Sequence, residues 1–95
     1  MMVQAWRKVD FGTGTVTFLD DTQKEDMLQV EYPSGFLLDM GWYQYRYIIF
    51  IIQSFDWDHP VKQYETPERN QLPTLLAEAV RLVEQVSQKA ELEQS

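Results

Sequence analysis

The chain is predicted to be an α+β domain, an antiparallel four- to five-stranded β-meander with one C-terminal amphipathic helix packed on one face. Three observations carry this prediction. Residues 43–52, YQYRYIIFII, hold three tyrosines, four isoleucines and a phenylalanine without a proline or glycine, which suits a pleated, half-buried strand. Gly12-Thr13-Gly14 and Pro33-Ser34-Gly35 are turn signals that cut the preceding residues into short runs. Leu72, Leu76, Ala79, Val83, Val86 and Ala90 then recur at spacings of four and three, the period of a helix with one apolar stripe. Strands first and a helix last make α+β.

Taken in order, residues 3–11 place Val3, Ala5, Val9 and Phe11 on one parity, interrupted by Arg7, and read as an edge strand. The glycines at 12 and 14 supply a hairpin turn into 15–19, TVTFL, with Val16 and Phe18 on one face. Residues 20–26, DDTQKED, carry no apolar side chain and read as a solvated loop. Residues 27–32 alternate, with Leu28, Val30 and Tyr32 against Gln29 and Glu31. A strand over 36–40 follows, and Gly41 is expected to turn the chain into the long strand, 43–54.

Residues 56–70, with Pro60 and Pro67, read as a connection over the end of the sheet. The helix is expected over 73–90, with Pro73 in the first turn, where its missing N–H is not needed. The stripe should meet the odd-numbered face of the long strand, since Gln44 and Arg46 interrupt the even one. Ile48, Phe50 and Ile52 nevertheless load that second face with apolar bulk. A single helix about 10–12 Å wide covers most of one face and none of the other. Either the meander curls over the second face, or another protein covers it. No linker divides the chain, so one domain is expected over 1–95.

Fifteen acidic against eight basic residues give a net charge of −7, spread along both halves. Phosphate binding needs a positive surface, so nucleic acid is an improbable partner by this count. The charge serves solubility, and it also suits docking on a basic protein. There is no cysteine, hence no disulfide framework and no zinc-thiolate site. No stretch near Met1 has the apolar core of a signal peptide, and a cytoplasmic protein is expected.

The usual catalytic sets fail by inventory. GxGxxG, GxxxxGK[ST] and GxSxG are absent, and His59 is the single histidine. Ser34 or Ser54 with His59 and Asp56 could be drawn as a triad, but those residue types coincide by chance in most chains. No enzymatic activity and no cofactor is expected.

The most concentrated polar-aromatic cluster is Asp56-Trp57-Asp58-His59-Pro60. Asp56, Asp58 and His59 could hold a divalent metal. The reading adopted is a turn whose carboxylates accept backbone N–H groups, with Trp57 capping the core and Pro60 ending the strand's pairing. No metal is expected. The same carboxylates can anchor an arginine or lysine of a partner. The loop acids Asp20, Asp21, Glu25 and Asp26 lack the ligand spacing and glycine of a calcium loop. The candidate partner-binding residues are therefore Asp56, Trp57, Asp58, Asp20, Asp21 and Glu25.

The succession Leu38-Asp39-Met40-Gly41-Trp42-Tyr43, a long apolar strand, Asp56-Trp57-Asp58-His59-Pro60 and a C-terminal amphipathic helix resembles small bacterial toxin-immunity proteins over roughly residues 36–90. The resemblance implies a protein that binds and neutralises a cognate toxin, without catalysis of its own; with the net charge of −7, a basic toxin domain is the expected partner. The alternative is a small homodimeric regulatory or structural protein that uses the second sheet face.

Overall fold

The structure, a computed structural model, describes residues 6–20, 22, 25–54 and 56–94, with side chains described as far as Lys89. Five strands form one antiparallel sheet: β1 (Thr15–Leu19), β2 (Leu28–Glu31), β3 (Phe36–Tyr43), β4 (Arg46–Gln53) and β5 (Lys62–Thr66). They lie side by side in chain order, and one helix, α1 (Leu72–Gln94), packs across them. No helix among the described residues is long and apolar enough to cross a membrane.

The two eight-residue strands β3 and β4 make the centre. Their register pairs Leu38 with Ile51, Met40 with Ile49 and Trp42 with Tyr47. These side chains share one face because successive residues of a strand point to opposite sides. On that face Tyr47, Ile49 and Ile51, the odd-numbered residues of β4, join one buried cluster with Leu28, Val30, Leu38 and Met40. Leu72, Leu76, Ala79, Val80 and Val83 of α1 close it from above. Fully burying each such aliphatic side chain is worth about 1.5–3 kcal/mol. Trp42 and Tyr47 add an edge-to-face contact, 4.6 Å between ring centroids.

Three local readings of the sequence are corrected. The expected strand over 3–11 is, in its described part, a 3-10 turn at Trp6–Lys8; residues 3–5 lie outside the described residues. Trp6 and Phe11 are buried while Arg7, Lys8 and Asp10 face water, so two-residue alternation is not what shields the segment. The Val9 N–H donates to the Trp6 carbonyl at 3.2 Å, closing the turn.

Gly41 does not turn the chain. It sits inside β3, which runs on to Tyr43, and the hairpin reverses at Gln44-Tyr45 with φ of 47° and 71°. A two-residue loop with positive φ at both positions matches the right-handed twist of the flanking strands, even where neither residue is Gly or Asn. The strand-favouring tyrosines on both sides hid this turn.

The expected connection contains β5, paired antiparallel with β4 from Tyr47↔Thr66 to Ile51↔Lys62. It is an edge strand with only Tyr64 and Thr66 turned toward shelter, and too few apolar residues to announce itself.

The N-terminal segment is tied down by polar contacts. Glu84 of α1 accepts the Thr13 N–H at 2.6 Å, and the Thr13 hydroxyl donates to the same carboxylate at 3.0 Å. Gly12 lies against that carboxylate with φ of 65°, a backbone conformation that other residues adopt only with strain. The buried Tyr32 hydroxyl donates to the Phe11 carbonyl at 2.8 Å. Burial, then the Glu84 and Asp10 charges, push the Tyr32 phenol well above its ordinary value.

Candidate functional site

The face of the sheet opposite α1 carries the features that packing alone does not use. Strand alternation places Leu37, Asp39, Gly41 and Tyr43 of β3 there, beside Ile48, Phe50 and Ile52 of β4. The paired Leu37 and Ile52 are buried yet stand outside the helix-side cluster. Ile48, Phe50 and Tyr43 are half-buried and form an apolar strip, with the Tyr43 and Phe50 rings edge to face at 6.2 Å. On one flank Arg46 pairs with Glu65 of β5 at 3.4 Å. An exposed pair of this kind adds little stability.

The other flank is acidic. The loop after β1 folds back, with the Asp20 N–H donating to the Met27 carbonyl at 2.8 Å and the Met27 N–H to the Met40 carbonyl at 2.9 Å. The Asp20 carboxylate accepts the Thr22 hydroxyl at 2.7 Å and the Thr22 N–H at 3.0 Å, which stiffens the turn. This brings the Glu25 backbone over Gly41, where only a residue without Cβ fits.

Beside that contact lies an open cavity of about 310 Å³, lined by Thr17, Phe18, Asp26, Leu28, Gln29 and Asp39. Asp39 lines this cavity and is 6% exposed. Gln29 of β2 lies directly across from it and hydrogen-bonds its carboxylate, while the Thr17 hydroxyl donates to Gln29 Oε1 at 3.2 Å. Burial pushes the Asp39 carboxyl up to about 6; the Gln29 hydrogen bond opposes the rise and the Asp26 charge adds to it. Burial, followed by the charges of Asp39, Asp26 and Glu25, also raises the Tyr43 phenol.

The residues chosen from the sequence fall at the two ends of the sheet. Asp20 and Glu25 belong to the loop just described; Asp21 lies outside the described residues. Asp56, Trp57 and Asp58 follow β4 at the opposite end, where the Ser54 N–H donates to the Gly35 carbonyl. Residues 36 and 40 are already four steps of β3 apart, about 13 Å at the rise of a strand. The two groups are therefore not brought together.

At the far end the Asp56 N–H donates to the Gln53 carbonyl at 3.0 Å, and His59 Nδ1 lies 3.2 Å from Asp56 Oδ1. Trp57 is exposed, so it does not cap the core as the sequence suggested. Among the described residues no group of three or more His, Cys, Asp or Glu side chains could hold a metal ion.

Comparison with protein-family models, curated proteins and solved structures returns no match.

Sequence reasoning missed Asp39. The available signal was a single carboxylate inside an otherwise apolar run, FLLDMGWY. It also missed Tyr45, which at the tip of the β3–β4 hairpin is 85% exposed and holds a positive φ. The arrangement offers acceptor oxygens, half-buried rings and a negative field. It suits recognition of a cationic, partly apolar surface.

Proposed function

We propose that this chain is a non-enzymatic protein-binding domain, an immunity-type inhibitor that docks on a basic toxin domain. One observation carries the reading: the sheet face away from α1 presents Tyr43, Ile48 and Phe50, with Asp39 paired to Phe50 and the charges of Asp39, Asp26 and Glu25 acting on Tyr43. A half-exposed apolar centre flanked by charge is the anatomy of a docking surface, in which a few aromatic side chains supply most of the binding energy. Asp20 and Glu25 shape the acidic flank. Asp56, Trp57 and Asp58, at the other end of the sheet, make outer contacts. The net charge of −7 steers a basic partner toward the domain.

The test is capture of a partner from the native host by tagged protein, followed by association kinetics at two salt concentrations. A basic protein whose association slows as salt rises is the expected result. Turnover of a small substrate by the purified domain would end this reading.

A second reading, a homodimer paired edge to edge, has one observation in its favour. Edge strand β1 is uncharged, and it exposes Val16, Phe18 and Leu19, whereas edge strand β5 carries Lys62 and Glu65. Charges guard an edge against pairing and β1 has none. Concentration-dependent dimerisation abolished by Phe18→Lys, with no basic partner captured, would select this alternative.

A further inference from the structure

We propose that the cavity at Asp39 seats one arginine side chain of the partner, with the guanidinium on the carboxylates of Asp39 and Asp26 and its plane against Phe18. The inference rests on the docking reading above and names the group that this end of the surface recognises.

The cavity is built from acceptors and apolar walls. Asp39 presents a carboxylate from β3, Asp26 one from the loop, Gln29 its Oε1 from β2 and Thr17 its hydroxyl oxygen from β1. Phe18 and Leu28 complete the lining. Asp39 is nine-tenths shielded from water, yet the charges acting on it among the described residues include no cation. Asp26 and Glu25 are acidic, and Arg46 is engaged by Glu65. Among the described residues, a carboxylate so placed has lost hydration without gaining a counter-charge, which is costly. The raised carboxyl is the sign of that cost.

A guanidinium answers each feature. Its five N–H donors in a planar fork can reach two carboxylates and an amide oxygen at once, and its face stacks on an aromatic ring. A lysine ammonium is a compact, strongly hydrated charge with no plane to lay on Phe18. Asp39 is paired with Phe50 of the apolar strip, so an arginine seated there would lie next to the partner's apolar contacts.

Occupancy is coupled to protonation. A guanidinium prefers the ionised carboxylate, so binding lowers the Asp39 titration midpoint, and acid that neutralises Asp39 expels the cation. Asp26 and Glu25 from the loop and the Tyr43 phenol are the other titratable groups near it.

The experiment uses the intact chain and three blocked tripeptides, glycyl-arginyl-glycine, its lysine counterpart and its citrulline counterpart, which keeps the arginine shape without charge. NMR follows the Asp39 carboxyl carbon and the Gln29 side-chain amide as each peptide is added up to its solubility limit. The arginine peptide should give saturable shifts at both groups and lower the Asp39 midpoint by about one unit, the size expected for an opposite charge in contact. The lysine peptide should respond several-fold more weakly and the citrulline peptide not at all. Asp39→Asn should abolish the Gln29 response, and Asp58→Asn should leave it. An equal response to the lysine peptide, shifts confined to residues 56–59, or no saturable shift overturns the proposal.

The two readings fail separately. A captured basic protein that binds Asp39→Asn as tightly as wild type removes the arginine seat and leaves the docking function. Arginine-peptide binding at Asp39 with no protein captured does the reverse.

Discussion

The backbone carbonyl of Glu25 lies directly over the α-carbon of Gly41, so the acidic loop rests on β3 at a position that only glycine provides. The contact joins the end of β3 to the rim of the Asp39 cavity, and the loop keeps its place through the Met27–Met40 backbone hydrogen bond next to it.

Gly41→Ala should therefore lift the loop. The Cβ would meet backbone atoms, which cannot swing aside as a flexible side chain can. We expect a loss of about 1–3 kcal/mol, typical of overpacking. In a domain of this size each kcal/mol lowers the thermal midpoint by about 4–8 °C. Thermal melts with hydrogen exchange at residues 25–27 check it. An unchanged midpoint with unchanged protection would show that the loop does not rest on Gly41.

Asp39→Asn should stabilise the domain at neutral pH. The carboxyl titrates from 3.8 in its ordinary state to about 6 in the folded one. Between those values the folded chain holds a proton that the unfolded chain has released. Asp39 therefore makes stability fall as pH rises from about 4 to about 6, and its contribution is level above. Asparagine removes that slope and can still accept from Gln29 through its amide oxygen. The expected gain at pH 7–8 is about 1 kcal/mol, less than the full shift converts to, because asparagine gives up the stronger hydrogen bond that a carboxylate accepts from Gln29. Melts of both proteins at pH 4, 6 and 8 isolate the effect as their difference. A variant less stable than wild type at pH 8 would mean that the carboxylate is already paired.

Glu84→Ala should loosen the N-terminal segment without touching the Asp39 face. It removes the acceptor of the Thr13 N–H and hydroxyl. The expected cost is about 1 kcal/mol, with faster amide exchange at Thr13. The Asp39 titration midpoint should not move; a displaced midpoint would show that the two faces are coupled.

The α+β class and the helix-facing side of β4 were legible in the sequence, because each rests on periodicity. The helix stripe announced itself through Leu72, Leu76, Ala79 and Val83, all of which are buried. What escaped depends on contacts distant in sequence or on turn geometry that residue type does not announce. Gly41 reads as a turn to anyone who cannot see the Glu25 carbonyl above it. Gln44 and Tyr45 carry strand-favouring neighbours through a hairpin turn that twist alone selects. Strand β5 lacks an apolar rhythm because it is an edge strand: only β4 pairs with it, and most of its side chains face water. Of the candidate site, the acidic loop was visible as composition. Asp39 was not singled out, since its significance comes from the register that puts it opposite Gln29 and beside Phe50.

The most direct test of the docking account is the affinity of the captured basic partner for four forms of the domain, measured at one salt concentration. Wild type is compared with Ile48→Lys in the apolar strip, Asp26→Lys at the cavity and Asp58→Lys at the far end, each first shown by its melt to be folded. The account predicts that Ile48→Lys and Asp26→Lys weaken binding by about tenfold or more, equal to roughly 1.4 kcal/mol each, as for residues inside a docking surface. Asp58→Lys should cost only about two- to threefold, as for a charge at the periphery. Wild-type affinity in both Ile48→Lys and Asp26→Lys, with binding lost in Asp58→Lys, would contradict it and move the contact to the turn after β4.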